Sequence, residues 1–257
     1  MEMNRELLNK YHKELRVNAQ TTGFRREATS HVVRHISEYD DRGFILASLL
    51  TEQNARSVIQ AEKEYFKQIG QPFEWKLFSY DSPSNLKELL LAEGFKEDEE
   101  EALLVLDLTI DKDLLDRQIP AELKEITDEN GVKDIVRLMD EIWQEKHDSL
   151  GKRLWQDKQQ HPDDLFLYGI YDGNQLVSGA WMYLEKESSF ASLWGGATQP
   201  AYRGRGYYKD LVAARAKKAS EYDYSFLTVD ARPMSRPILE RLNFQLLAYT
   251  YGMLSPK

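Results

Sequence analysis

A basic loop with two glycines, placed between an apolar run and a helical repeat, is the feature that most constrains this chain. The apolar run Phe190–Gly196 predicts a buried strand, and apolar residues from Leu211 onward recur at helical spacing. Between them, Gly204 and Gly206 permit positive φ angles and let the backbone approach a ligand closely. A helix that begins at Gly206 leaves its first N–H groups unpaired. We therefore predict an anion site here, for a phosphate or pyrophosphate.

Three blocks in and after this loop resemble one enzyme family in the same order. Arg203–Tyr208, with the sequence RGRGYY, resembles the Q/R-x-x-G-x-G/A signature of the GNAT (GCN5-related) N-acyltransferases. Tyr224–Val229 resembles the next strand of that family, and Ile238–Phe244 resembles its LYEKLGF helix end. The signature is incomplete, because Tyr208 stands where the family has Gly or Ala.

The resemblance implies that the chain binds acetyl-coenzyme A (acetyl-CoA) and needs no metal. In the family, acetyl-CoA lies where two neighbouring strands separate, and the loop holds its pyrophosphate. Arg232 and Ser235 correspond to positions near the cofactor, although a simple turn role is the alternative. The expected cofactor-binding residues of the loop and of the strand end before it are Ala197, Thr198, Gln199, Arg203, Gly204, Arg205, Gly206, Tyr207, Tyr208 and Lys209.

The implied activity is transfer of an acetyl group from acetyl-CoA to an amine, by direct attack in a ternary complex. A thioester is already activated, so positioning and amine deprotonation supply most of the catalysis. Leu239 stands where many members have a tyrosine beside the leaving thiolate. Tyr249 and Tyr251 are the candidate substitutes, and ordinary strand aromatics are the alternative. The thiolate, with a pKa of about 8.5, can also leave unprotonated.

Two carboxylates are candidates for the base that deprotonates the amine. Asp230 lies at the C-terminal end of its predicted strand, where sheets of this kind place ligands. It could instead cap the next turn. Glu141 lies on the first predicted helix of the C-terminal half, and its alternative role is that of a solvated helix residue.

An internal repeat indicates that the chain contains two copies of one fold. Asp81 precedes Gly94–Phe95 at the spacing by which Asp230 precedes Asn243–Phe244. In the first copy, Thr51–Arg56 occupies the place of the phosphate loop, with no glycine and one basic residue. We therefore interpret the first copy as a degenerate GNAT-like domain that binds no cofactor.

The predicted fold class is α/β: two GNAT-like domains in tandem, each a mixed central sheet flanked by helices. Residues 1–115 form the degenerate domain and residues 116–257 form the acetyltransferase domain that binds acetyl-CoA. The resemblance covers residues 121–257 closely and 28–108 loosely. Within the first copy, the pattern predicts a helix over residues 3–17 and one strand within Ala28–Ile36.

Composition restricts the classes of protein to which the chain can belong. The 257 residues include no cysteine, which excludes disulfides, thiolate metal sites and a cysteine nucleophile. The net charge of −9 disfavours nucleic-acid binding and favours a cationic acceptor, a small-molecule or peptide amine. The sequence has no signal peptide and no apolar stretch of membrane-spanning length, so we expect a cytoplasmic protein without membrane contact.

Two points stay open at this stage. A homodimer is compatible with the resemblance. The rival function is a non-catalytic module that senses acyl-CoA or holds a partner protein, and Leu239 at the tyrosine position favours it.

Overall fold

The computed structural model describes residues 2–39 and 41–256, with side chains from Asn4 onward, and these residues form two compact units. The terminal unit contains the residues up to Leu104 and those from Asp230 onward, and the central unit spans Val105–Val229. The limits of these compact units thus differ from the predicted domain boundary between residues 115 and 116. That boundary separates two related copies and stays a prediction.

The terminal unit begins with a helix that changes its hydrogen-bonding pattern. The predicted helix over residues 3–17 consists of α1 (Glu2–Tyr11) followed by a π-helical turn, His12–Val17. The predicted strand within Ala28–Ile36 is present as Val32–Ser37, and the strand before it, Phe24–Ala28, was not predicted. The Thr29 hydroxyl accepts hydrogen bonds from the N–H groups of His31 (3.1 Å) and Val32 (3.0 Å), which turns the chain between two strands.

The remaining elements of this unit form a sheet with helices packed on it. They are β1 (Phe24–Ala28), β2 (Val32–Ser37), β3 (Gly43–Ser48), α2 (Ala55–Gln68), β4 (Phe73–Phe78), α3 (Leu86–Ala92), β5 (Lys96–Glu97), β6 (Glu101–Asp107), whose residues from Val105 onward belong to the central unit, α8 (Arg236–Glu240) and β12 (Gln245–Leu254). The paired order is β1-β2-β3-β4-β12, with β3 and β4 parallel, the other pairs antiparallel, and β5 added to β12. The core is aromatic, with Phe66 of α2 stacked on Phe73 at 4.2 Å beside the buried Trp75.

The central unit contains the remaining paired strands, which are also parallel and antiparallel. Its elements are α4 (Asp113–Asp116), β7 (Leu123–Ile126), α5 (Glu129–Trp143), α6 (Asp148–Gln160), β8 (Leu165–Asp172), β9 (Gln175–Leu184), β10 (Phe190–Thr198), α7 (Tyr207–Glu221) and β11 (Phe226–Ala231), whose last two residues belong to the terminal unit. The order is β11-β10-β9-β8-β7, in which β10 and β11 are parallel and the other neighbours are antiparallel. Ile135 and Leu138 of α5 are buried in its core with Leu167 of β8.

Both units contain the same arrangement of three strands. An antiparallel pair carries a register shift, in β2 and β3 between Val33 and Arg34 and in β9 and β10 after Trp194. A parallel pair then stops early. In the terminal unit it stops at Ile45 opposite Trp75, although β3 and β4 continue to residues 48 and 78. The shared arrangement supports the predicted repeat.

The guanidinium of Arg16 fills the place where β3 and β4 separate. Its Nε donates to the carbonyl of Leu46, one residue beyond the last parallel pair, at 2.7 Å. Its two terminal nitrogens donate to the Asp81 carboxylate at 2.7 and 2.8 Å, and the group stacks 3.8 Å above the Phe78 ring. Because both Arg16 and Asp81 are almost fully buried, this ion pair belongs to the interior of the terminal unit.

Replacing Arg16 by Met should destabilise the terminal unit strongly, since it leaves the buried Asp81 carboxylate without its partner. We expect a loss of about 3–5 kcal/mol in the free energy of unfolding. The matched control is Arg56→Met, because Arg56 is exposed and pairs loosely with Glu93 at 3.7 Å. It should lose less than about 1 kcal/mol. Urea unfolding of both variants checks this, and equal losses would contradict it.

Candidate active site

Two parallel strands of the central unit separate after three paired residues. β10 pairs with β11 from Phe190 opposite Phe226 to Ser192 opposite Thr228, and no further pair follows although both strands continue. The end of β10, up to Thr198, therefore presents an edge of backbone N–H and C=O groups to the opening. An extended ligand can form hydrogen bonds with such an edge as an added strand does.

A β-bulge shapes β10 at this opening. Trp194 lies opposite Trp181 and Ala197 opposite Gly179, so β10 has two residues where β9 has one. One of them, Gly195, has a φ of +63°, and a Cβ atom there would lie 1.9 Å from the Trp181 ring. Glycine is therefore required at this position for both conformation and space.

Arg215 of α7 holds the carbonyls at the bulge. Its side chain is fully buried and donates to the carbonyls of Trp181 at 3.0 Å and Trp194 at 3.4 Å, and to that of Leu211 in its own helix at 3.0 Å. Burial lowers the pKa of Arg215 to about 10, so the guanidinium stays charged at neutral pH. A cation thus lies directly behind the separating strand.

The predicted phosphate loop has the backbone conformation that the glycines were expected to allow. Gly204 has a φ of +78°, and Gly206, with a φ of +88°, precedes the first residue of α7. The loop is held from outside by two side-chain contacts: the Tyr202 hydroxyl donates to Asp172 at 2.7 Å, and Gln199 donates to Glu141 at 2.9 Å. Glu141, a candidate base, therefore contacts a candidate cofactor residue.

The basic residues of the loop contact its own backbone. Arg203 donates to the Thr198 carbonyl at 3.2 Å, and Arg205 donates to the Ala201 carbonyl at 3.4 Å with its guanidinium over the Tyr202 ring. Both arginines are exposed, so their remaining N–H groups are available to an anion.

Arg117 is a further cation at this site that sequence reasoning missed. It binds Asp210, in the first turn of α7, through Nε at 2.7 Å and Nη2 at 2.6 Å. Its Nη2 lies 3.7 Å from the point that a Cβ of Gly206 would occupy. Arg117 thereby offsets the negative charge of Asp210 at the beginning of the helix. It lies far from the loop in sequence, next to the predicted domain boundary, where no local pattern marks it.

Tyr208, the departure from the signature, packs against a residue without a side chain. A Cβ atom on Gly196 would lie 2.6 Å from the Tyr208 ring, so the tyrosine occupies space that this glycine leaves open. Burial raises the pKa of Tyr208. The departure is therefore accommodated by the glycine in β10.

Tyr207 and Lys209 lie in the first turn of α7, and the predicted site residues from Asp230 onward lie in the terminal unit. Asp230 forms an ion pair with Lys76 at 3.1 Å and accepts from the Thr250 hydroxyl at 3.4 Å. Burial alone would lower the pKa of Lys76, but Asp230 and Glu101 outweigh it and raise that pKa. Arg232 lies 3.7 Å from Glu101, and the Ser235 hydroxyl donates to the Arg232 carbonyl within a turn.

The two candidate tyrosines differ in their hydrogen bonds. The Tyr249 hydroxyl accepts from Arg236 at 3.1 Å. The Tyr251 hydroxyl donates to Glu100 at 2.7 Å, and this hydrogen bond raises the pKa of Tyr251 to about 12. Leu239 is fully buried on α8.

Comparison with known proteins identifies the class that this fold and loop define. Residues 132–244 match the model of the acetyltransferase (GNAT) family, so this part of the chain is a GNAT domain. No curated protein sequence matches the chain significantly.

Solved structures resemble the chain over nearly its whole length. They include a GCN5-related N-acetyltransferase from Kribbella flavida (14% identity, 98% of this chain and 95% of that chain, TM-score 0.69). Another is a functionally unknown conserved protein from Staphylococcus epidermidis (12% identity, 97% of this chain and 98% of that chain, TM-score 0.65). A third is a tandem GNAT protein from the clavulanic acid biosynthesis pathway (11% identity, 88% of this chain and 79% of that chain, TM-score 0.59). At these identities the likeness concerns the fold, and it confirms the predicted fold class.

Within residues 2–39 and 41–256, no group of three or more His, Asp or Glu side chains is arranged to hold a metal ion. No helix in that part of the chain is long and apolar enough to cross a membrane.

Replacing Gly195 by Ala should destabilise the central unit, because the added methyl group meets the Trp181 ring. Gly173→Ala is the matched control: Gly173 has a similar φ of +59°, and its Cβ would meet nothing within 4 Å. We expect the control to lose about 1 kcal/mol of the free energy of unfolding through backbone strain, and Gly195→Ala to lose at least about 2 kcal/mol more. Thermal unfolding of both variants measures the difference, and similar melting temperatures would show that the bulge tolerates a side chain.

Proposed function

We propose that the chain is an N-acetyltransferase that transfers the acetyl group of acetyl-CoA to an amine by direct attack in a ternary complex. The observation that carries this proposal is the unpaired edge of β10 leading into a left-handed glycine at the beginning of α7. The acceptor is a small-molecule or peptide amine.

The residues of the central unit fit the two ends of acetyl-CoA. The N–H groups after Gly204 and Gly206, with Arg203, Arg205 and Lys209, suit a pyrophosphate. The edge of β10 from Gly196 to Gln199 suits the amides of the pantetheine arm, with the thioester near the last strand pair. Attack by a neutral amine then forms the C–N bond and breaks the C–S bond.

Tyr249 is the better of the two candidate proton donors to the departing thiolate. Arg236 donates to its oxygen, so the phenol proton is not used in this hydrogen bond and is available for transfer. The proton of Tyr251 is engaged by Glu100, which makes this phenol a weaker acid. For the base, Asp230 and Glu141 stay predictions.

The alternative function is a non-catalytic acyl-CoA sensor or partner-binding module. Leu239 supports it, because this buried residue at the usual tyrosine position supplies no hydroxyl. Amine-dependent release of CoA above the hydrolysis rate distinguishes the two. We further propose that the N-terminal copy is degenerate, since Arg16 fills the separation of β3 and β4.

Replacing Gly206 by Asp should weaken acetyl-CoA binding, because the carboxylate adds negative charge beside the helix N-terminus. A loss of about 10–100-fold in affinity corresponds to 1–3 kcal/mol of lost anion stabilisation. Gly70→Asp is the matched control, since Gly70 has a φ of +67° and open space around it after α2. Calorimetric titration of both folded variants tests this. Unchanged affinity in Gly206→Asp would remove the pyrophosphate assignment.

Replacing Tyr249 by Phe should lower kcat by about a hundredfold at unchanged affinity for acetyl-CoA, as expected for loss of a general acid. Tyr251→Phe is the comparison and should keep near-normal turnover, because its phenol proton is held by Glu100. Thiol release with an accepted amine measures both. If both variants turn over normally, the thiolate leaves without help from either tyrosine.

A further inference from the structure

A chain of hydrogen bonds runs along one face of the central sheet towards Glu185. The indole N–H of Trp194 donates to the Ser192 hydroxyl at 2.7 Å, and the Ser192 hydroxyl donates to the Glu185 carboxylate. Residues opposite each other in neighbouring strands share a face, so Ser192 points to the same side as Tyr183 of β9 and Thr228 of β11. The donors are ordered, and the carboxylate is the final acceptor.

This chain lies where the two parallel strands separate. Ser192 opposite Thr228 is the last pair of β10 and β11, and Trp194 lies at the bulge two residues further on. The Trp194 side chain is 48% exposed, so the face is accessible at this point. The reacting end of a thioester laid against the edge of β10 would reach this last pair.

Two buried polar atoms on the same face lack a hydrogen-bond partner among the described residues. They are the Thr228 hydroxyl and the Trp181 indole N–H, and each residue is only 4% exposed. Buried polar groups in folded proteins are normally paired. Their positions, opposite Ser192 and opposite Trp194, indicate that polar groups of a ligand complete this site.

The surroundings of Glu185 suit a proton acceptor at neutral pH. Burial raises the pKa of Glu185, the Ser192 hydrogen bond opposes this effect, and the charge of Asp164 adds to it, so that the resulting pKa is about 7. Asp164 itself pairs with Lys186 at 2.9 Å. His161 also lies 3.8 Å from Asp164, through its Nδ1 atom. Tyr224 donates to the Glu185 carbonyl, and Tyr183 donates to Asp157 of α6. The charge of Arg153 lowers the pKa of Tyr183, which burial raises. A base works best when its pKa lies near the working pH.

We propose that Glu185 accepts, through the Ser192 hydroxyl, the proton that the acceptor ammonium loses before it attacks. This inference rests on the proposed acetyltransferase function. Ser192 passes its proton to the Glu185 carboxylate and takes one from the ammonium. The neutral amine attacks the thioester carbonyl, the C–S bond breaks, and the second nitrogen proton balances the proton that the thiolate takes from the acid that protonates it. Glu185 finally releases its proton to water, so the net products are the acetamide, CoA thiol and one proton.

The test compares Glu185→Gln with Glu187→Gln, a control at an exposed residue of the same turn. The assay uses acetyl-CoA with a primary alkylamine that the parent accepts. The parent should lose activity below about pH 7 through one titrating group. Glu185→Gln should lose this dependence and about 10²–10⁴-fold of kcat/KM for the amine. Its calorimetric affinity for acetyl-CoA should not change, and Ser192→Ala should lose activity in the same direction.

A second acceptor separates proton transfer from a structural role. Hydroxylamine is already neutral at the assay pH and needs no base, so Glu185→Gln should be far less impaired with it than with the alkylamine. Equal losses with both acceptors overturn the proposal. It is also overturned if Glu185→Gln keeps the pH dependence of the parent while Asp230→Asn or Glu141→Gln removes it.

Stability supplies a readout that does not need activity. A raised carboxyl pKa means that the folded state holds the proton more tightly, so stability falls as the pH rises from about 4.3 to about 7. Glu185→Gln should therefore have a higher melting temperature than the parent at pH 8 and a similar one at pH 4. An equal difference at both values contradicts the proposal. A parent that binds acetyl-CoA but acetylates no amine overturns the proposed function and this assignment together, whereas an active parent with an unimpaired Glu185→Gln overturns this assignment alone.

Discussion

The separation of β10 from β11 depends on a buried cation behind the strand. Arg215 donates to the carbonyls of Trp181 and Trp194, the pair of residues at which the bulge begins, and Gly195 leaves room for the indole of Trp181. A charge without bulk water around it is costly unless hydrogen bonds satisfy it, so these carbonyls are held firmly in place. The irregular edge of β10 is thus a fixed feature of the fold, prepared before any ligand arrives.

The two units share one arrangement of strands, but they differ in what lies where the parallel strands separate. In the central unit, Gly206 enters α7 with a left-handed conformation, and the helix N-terminus faces an open loop. In the terminal unit, Asn54 precedes α2 with a φ of −109°, and its side chain accepts from the N–H of Thr51 at 2.7 Å. There the loop satisfies its own backbone, and Arg16 lies between the strands. The same strand geometry therefore favours a ligand in one unit and an internal side chain in the other.

How much the sequence predicts depends on how local the signal is. The strand, loop and helix around Gly204 follow from neighbouring residues, and the sheet class follows from apolar periodicity. The β1–β2 hairpin was missed because the Thr29 hydroxyl makes its turn, without glycine or proline. Arg117 and Glu185 were missed because their partners come from other elements. Charge and burial at such positions exist only after the chain has folded.

The last strand of the chain, β12, has a consequence for the order in which the protein can form. It pairs with β4, and the Tyr249 N–H bonds to the Ser79 side chain 170 positions earlier. During synthesis the N-terminal elements emerge first, but β4 keeps an unpaired edge until the ribosome has released nearly the whole chain. The residues of the central unit lie between β4 and β12 in sequence, so this unit can fold before β12 has been made and the terminal unit is complete. A newly made chain is therefore vulnerable to aggregation through β4, the place where a chaperone would be needed.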